Sequence, residues 1–317
     1  MIPIVGIGAG LVSALLFSVV ITGSPLAALL YSAAPLPIFI ASLGWNHRSG
    51  LFATAAGALA VAIALAPTGG IAFALIIALP AWWIAYLALL ARADTNGQVE
   101  WYPLGNLLLW IAATAALATV GSALVMTTDY EAYRSVIARM IENLLNEMVR
   151  GKLIALPGDV QVKELALSLA PAVPLGIGAS FVTTITANLW LAARTVKMSD
   201  RLPRPWPFIP STTLPRQALL MLIAAAFVAT TGGFIGVAAM AFAGALLAAF
   251  MFSGLATLHD ISRGKPWRLP MLISIYVALV VMQAVLTPLL AIAGVIDTLL
   301  GLRKRAAPPP PPPPNRS

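Results

Sequence analysis

Long uncharged runs separated by short polar loops decide what this chain can fold into. Ile2 to Thr22, Leu26 to Leu43, Leu51 to Ala66, Ile71 to Ala91 and Gly105 to Met126 hold no Asp, Glu, Lys or Arg. About 20 apolar residues cross the hydrocarbon of a bilayer as a helix. Inside lipid every backbone N–H and C=O needs a partner within the protein, which leaves helices as the conformation for such runs. The expected fold is therefore all-α, a polytopic α-helical integral membrane protein. Composition agrees: 60% of residues are hydrophobic and 9% charged, with a mean hydropathy of +0.92, against about 25% charged residues in soluble domains. The net charge of +8 sits in loops, where membrane topology accounts for it without nucleic acid. The first run has no Lys/Arg leader and no small-residue cleavage site, so it reads as a retained helix. Its Gly6, Gly8, Gly10 and Ala14 make a smooth side for close helix packing.

After five such spans the pattern changes, and the stretch Thr128 to Lys197 reads as the one the rest is organised around. Tyr133, Val136, Ile137, Met140, Ile141, Leu144, Leu145 and Met148 recur at three- and four-residue steps among charged residues, the period of an amphipathic helix. Thr128 and Glu131 have capping-box spacing at its start, and Gly151 with Pro157-Gly158 supplies stop signals. Acid and base are nearly balanced on this helix, unlike an anionic-lipid anchor. It is expected to lie at an interface or cap a cavity as a lid, or else simply to pack over loop ends.

The next apolar stretch, Val162 to Lys197, is too long for one straight span, and Pro171, Pro174, Gly176 and Gly178 predict a break. Beyond the break Ser180, Thr184 and Asn188 form one polar stripe with Thr183 and Thr186 beside it. Two uses fit such a stripe: hydrogen-bonding glue between helices, or the lining of a solvated pocket. Further apolar segments follow at Gln217 to Thr230, ended by Thr231-Gly232-Gly233, and at Phe234 to Leu258. Leu269 to Leu302 is divided by Pro288, predicting one bent helix or a hairpin. The count is thus nine or ten spans. Region 1–126 holds five of them, 127–163 is an extracytoplasmic amphipathic segment, 164–302 is a second membrane region, and 303–317 is a basic, polyproline tail without packing capacity.

Basic loops around Arg48, Arg92, Arg194 to Arg216 and Arg263 to Arg268 fall on alternate connections. Positive residues stay in the cytoplasm, which predicts a cytoplasmic N-terminus. Trp45, Trp101, Tyr102, Trp190, Trp206 and Trp267 lie near span ends, as an aromatic belt requires.

Catalytic signatures are missing. No H-E-x-x-H, G-x-S-x-G or phosphate-binding loop occurs, His47 and His259 lie in different loops, and there is no cysteine. The chain is expected not to be an enzyme and to need no metal or cofactor; active transport would draw on an ion gradient or a separate ATPase. Asp297 is the ionisable residue within an apolar run. It either anchors to Arg303 and Arg305 or forms a proton or cation site. Asn106, Gln283 and Asn188 are the neutral polar groups near membrane depth that a pocket would draw on.

Short passages carry a resemblance: Trp101-Tyr102-Pro103 with Gly105, Asn188 to Arg194 with Pro203, Leu214 and Pro215, Gly254 with His259, Leu269-Pro270, and Gly294 with Asp297 ahead of Arg303-Lys304-Arg305. Together they resemble the YybS-like family of uncharacterised bacterial multi-pass membrane proteins. The resemblance implies an inner-membrane protein and a kinship in fold with the S components of energy-coupling-factor vitamin transporters, although this chain has more spans and no vitamin-binding motif. Two functions remain open. One is a solute-binding or transport subunit, with the Ser180/Thr184/Asn188 face as pocket, the Pro171–Gly178 kink as hinge and Thr128 to Arg150 as lid. The other is a scaffold for an envelope or cell-division complex. Expected partners are the lipid bilayer with either a small-molecule solute and an energising subunit, or envelope proteins.

Overall fold

The structure, a computed structural model, describes residues 2–93, 97–155, 157, 160–301 and 303. The expected tail from 304 onward and Gly158 lie outside the described residues. Fourteen helices follow in order: α1 (Ile2–Ser18), α2 (Pro25–Ser32), α3 (Pro35–Trp45), α4 (His47–Ala64), α5 (Pro67–Phe73), α6 (Leu79–Ala88), α7 (Leu104–Met126), α8 (Tyr130–Arg150), α9 (Val162–Leu169), α10 (Val173–Met198), α11 (Gln217–Val228), α12 (Gly233–Ile261), α13 (Arg268–Val281) and α14 (Gln283–Leu300). Among the described residues seven helical segments are long and apolar enough to cross a membrane, and Gln217–Thr231, Arg268–Val281 and Val285–Leu300 are shorter apolar helices. The all-α, polytopic architecture is as expected. One small addition is a two-stranded ribbon, β1 (Ala91–Ala93) with β2 (Val99–Trp101), antiparallel and clasped by Arg92 and Glu100 at 2.7 Å.

Prolines explain the breaks. Pro35 offers no N–H and Leu36 N–H bonds Ala33 instead of continuing the ladder, so the second span splits into α2 and α3 and the Ser32 carbonyl is left free of a helical partner. Pro80 acts similarly between α5 and α6, where Ala74–Ala78 widens into a π-type turn. Pro171 sits in a tight turn, Ala170–Ala172, that separates α9 from α10, the break its sequence predicts.

Helix α12, rather than the stretch Thr128 to Lys197, is the element the others pack around. It touches α7, α10, α11 and α14, and 67% of its most apolar window is buried. Close approach is possible because it carries glycines where backbones cross. A methyl on Gly178 of α10 would overlap the Ala241 carbonyl, and one on Gly244 would overlap that of Leu175; Gly254 and Gly294 make the same reciprocal crossing with α14. Gly178 is therefore a packing residue and not a source of looseness. In a membrane, where lipid removes the hydrophobic drive between helices, such small-residue contacts are what association relies on. Gly6 and Gly10 of α1 do the same against α4, as expected from the first span. Outward faces remain greasy: Ile4, Leu15, Ile63, Leu117, Phe227 and Ile235 are all exposed.

The basic loops converge on one end of the bundle. Arg201 stacks on Trp45 at 4.7 Å, Arg204 on Trp101 at 6.0 Å, Lys197 on Trp206 at 4.9 Å and Arg263 on Phe208 at 4.2 Å. The chain also starts at this end, since Ser49 Oγ donates to the Ile2 carbonyl at 3.1 Å. The last apolar run resolves into a hairpin: α13 leaves the basic end, the chain turns at Met282 and α14 returns it. The turn lies six residues before the expected Pro288, which is accommodated inside α14. At about 1.5 Å per residue, the 14 residues of α13 and 18 of α14 measure about 21 and 27 Å, so α14 comes close to a ~30 Å hydrocarbon core and α13 falls short of it by about a third.

Candidate functional site

The polar stripe of α10 splits on inspection. Asn188 is 5% exposed. Its amide donates at 2.8 Å to the Ser32 carbonyl and at 2.8 Å to Thr184 of its own helix. The Ser32 acceptor is the one that Pro35 orphans, so Asn188 supplies across the interface the bond that the broken second span lacks. Thr183 turns back on the Ala179 carbonyl at 2.9 Å, Thr184 is half-buried and Ser180 is exposed. None of the four lines either of the two cavities described below. Thr186, named beside the stripe, is the residue of that helix turn that does face a cavity. Asn106 is half-buried near the start of α7, and Gln283 is exposed at the hairpin turn; neither lines either of these two cavities.

Asp297 is 3% exposed and meets Arg303 at 2.8 Å between Oδ2 and Nη2. Arg303 also donates its Nε to Oδ2 at 3.0 Å and its backbone N–H to Oδ1 at 3.3 Å. Its Nη groups reach across to the carbonyls of Pro210 and Thr212. One guanidinium thus joins the end of α14 to the 199–216 loop, and the carboxylate is saturated with donors. This is the anchoring geometry of the two alternatives; Arg305 lies outside the described residues.

At the opposite end, α8 is a helix of the expected period, but its cap is Asp129, whose carboxylate accepts from Glu131 N–H at 2.9 Å. Thr127 in turn accepts from Asp129 N–H at 3.1 Å. Asp129, one residue nearer, accepts from the first-turn amide that the expected box would have assigned to Thr128. Only the first half of the apolar face is covered: Tyr133 and Ile137 are buried and Ile141 packs with them against Ala170, Phe234 and Val237. Met140 and Leu144 are exposed, and Met148 is half-buried.

Beneath the covered half lies a cavity of about 200 Å³. Tyr130, Tyr133 and Arg134 of α8 form one wall. Ala170, Pro171 and Pro174 at the break form another, and Ala229 to Gly236 at the α11–α12 turn closes it. Gly232 and Gly233, both with positive φ (72° and 64°), make that turn possible. Arg134 Nε is buried with no hydrogen-bond partner. Burial, and secondarily the neighbouring Tyr130, raise the Tyr133 phenol above its ordinary value, keeping it a neutral donor. The arrangement gathers hydrogen-bond donors and one cation around a partly open cavity, which suits a small anion. Arg134 and Thr230 are absent from the residues that sequence singles out. The available signal was an arginine interrupting the apolar side of the helix between Tyr133 and Ile137.

A second cavity of about 180 Å³ opens at the basic end. Leu104, Leu107, Leu108 and Ile111 of α7, Leu189 of α10 and Phe252 of α12 give it an apolar lining. The 199–216 loop covers it with Arg204, whose Nη1 donates to the Ala88 carbonyl at 3.1 Å, and burial lowers that guanidinium from its ordinary value. Thr186 and Thr212 line it too, and both hydroxyls are buried without partners. Among the described residues no group of three or more His, Cys, Asp or Glu is disposed to hold a metal ion. His259 instead bonds the Tyr276 hydroxyl at 2.9 Å.

Over residues 11–298 the chain fits the family described as "Predicted membrane protein (DUF2232)". No curated protein and no solved structure matches it.

Proposed function

The chain belongs to the DUF2232 family of membrane proteins, and we propose that it is a solute-binding or transport subunit without catalytic activity or ATPase of its own. The observation that carries this reading is the buried, unpartnered Nε of Arg134, a residue in the wall of the cavity beneath α8. A buried donor left unsatisfied costs about 1–3 kcal/mol, a cost that an anionic ligand removes. The solute class is a small organic anion, held by Arg134 with Tyr133 and Thr230. Helix α8 serves as lid, and the Pro171–Pro174 break gives the wall opposite it a place to flex. The basic end, with its Lys and Arg excess, faces the cytoplasm of a bacterial inner membrane, so the anion enters from outside. The YybS-like assignment and a fold kinship with S components of energy-coupling-factor transporters belong to the same proposal, an energising partner being required in that case.

The test is thermal unfolding of the purified full chain in mild detergent with potassium acetate, lactate, succinate or glutamate, against potassium chloride. One carboxylate is expected to stabilise the protein, by about 2.7 kcal/mol at a hundredfold excess over Kd, with the gain lost in Arg134→Gln. Equal shifts in both proteins, or none with any salt, overturn the reading. The scaffold alternative draws on the exposed Met140 and Leu144 of α8; recovery of envelope-assembly proteins on gentle affinity purification, with no retained metabolite, favours it.

A further inference from the structure

We propose that the cavity at the basic end is a binding site for a fatty-acyl group carrying an anionic head, distinct from the solute site beneath α8. Three observations meet there. Its lining is leucine, isoleucine and phenylalanine from three helices, within a volume of about 180 Å³. An apolar cavity of such lining and roughly 150 Å³ stays dry and takes up an apolar ligand, so an alkyl chain is the fitting occupant of the deep part.

The cavity is not purely apolar, however. Thr186 and Thr212 both belong to its lining, and their hydroxyls are buried and find no partner; Thr212 is only 8% exposed. Buried hydroxyls in native proteins almost always have partners. Their own helix or loop carbonyls are the usual ones, as with Thr183, yet neither threonine uses them. The carboxylate or ester oxygens at the head of an acyl chain are acceptors of the right kind, and a bare hydrocarbon is not.

The rim supplies the complementary charge. Arg204 lines the cavity itself, while Arg194 and Lys197 sit over the ring of Trp206, another lining residue, at 5.7 and 4.9 Å. Trp190, also in the lining, is exposed. Tryptophans and cations together mark the depth at which lipid headgroups lie. An acyl chain inserted between α7 and α10 therefore leaves its head at the cation-bearing rim. The site also lies against the Asp297–Arg303 anchor, because the Thr212 carbonyl accepts from Arg303 at 2.8 Å. An occupant bonded to the Thr212 hydroxyl is thereby coupled to the docking of the 199–216 loop on α14.

The chemistry is shared by a free fatty acid and by one chain of an anionic phospholipid, and the experiment separates these sources. The full chain is reconstituted in bilayers of zwitterionic lipid containing either a diazirine-labelled fatty acid or a phosphatidylglycerol with the same label on one chain, irradiated, and mapped by peptide mass spectrometry. Labels concentrated on 104–111 and 186–212 with either probe support the site, and the probe that labels names the source. The double variant Thr186→Val/Thr212→Val keeps the side-chain volume and should fold at least as well. It is expected to lower that labelling about tenfold, the equivalent of one hydrogen bond, while labelling of outward faces such as α1 is unchanged. Labels spread evenly over the outward faces, or labelling of the cavity unchanged in the double variant, overturn the proposal. Failure here leaves the Arg134 reading untouched, since that site is read with soluble carboxylates.

Discussion

At the scale of single residues, the polar groups within the bundle divide into those whose bonds are complete and those whose bonds are not. Asp297 and Arg303 are complete. Replacing one member leaves the other buried and unpaired, so Asp297→Leu or Arg303→Met is expected to lower stability by about 3–5 kcal/mol. The double variant should recover much of that loss in detergent unfolding. Asn188 is complete as well, bonded to a carbonyl on another helix. Asn188→Leu should cost about 0.6–1.7 kcal/mol, the range for interhelical hydrogen bonds in membranes, and leave the response to carboxylates intact. Arg134→Gln should do the reverse, with little change in stability and loss of the ligand response. The polar stripe was legible in sequence as a helix face, but its use was not. That use depends on Ser32, which is 156 positions away and is orphaned by a proline in another span.

At the scale of elements, glycine decides which helices touch. Gly254→Leu in α12 should separate α12 from α14 and destabilise the bundle severely, because any Cβ there meets the Leu290 carbonyl and no side chain lies between to move aside. Gly176→Ala is the control: its Cβ would meet nothing within 4 Å, so the exchange should gain up to about 1 kcal/mol from helix propensity. Thermal unfolding of the two variants side by side distinguishes them. The extents of the helices were largely readable, since uncharged runs and prolines mark them. The ranking was not. The amphipathic stretch attracts attention because its pattern is rich, whereas α12 is apolar and small-residued all round, the sign of a helix surrounded by others.

At the scale of the whole molecule, both Ile2 and Arg303 lie at the end where the basic loops gather. With no cysteine in the sequence, single-cysteine labelling has a clean background. A membrane-impermeant maleimide is expected to label Ser135→Cys on α8 in intact spheroplasts. Ser199→Cys, and a cysteine appended after Ser317, should react only after lysis. Labelling of the appended cysteine from outside would rule out the hairpin and restore a single long final helix. The same convergence limits what the basic loops are free to do, since Arg194, Lys197, Arg201, Arg204 and Arg263 already stack on the chain's own aromatic rings.

What the sequence determined by itself is the class of the molecule: helices in lipid, their approximate ends, the break before α10, an amphipathic helix outside the spans, and one end richer in cations. These follow from local composition, because hydrocarbon penalises charge and unpaired backbone wherever they occur along the chain. The tertiary structure alone decided that α12 is the centre, that the last run is a hairpin, and that two cavities flank the bundle's ends. It also decided which polar atoms are left without partners. Those outcomes depend on which small residue meets which carbonyl across an interface, and on whether a donor's acceptor lies within reach. Such pairings join positions far apart in sequence, and no periodicity in any one segment encodes them.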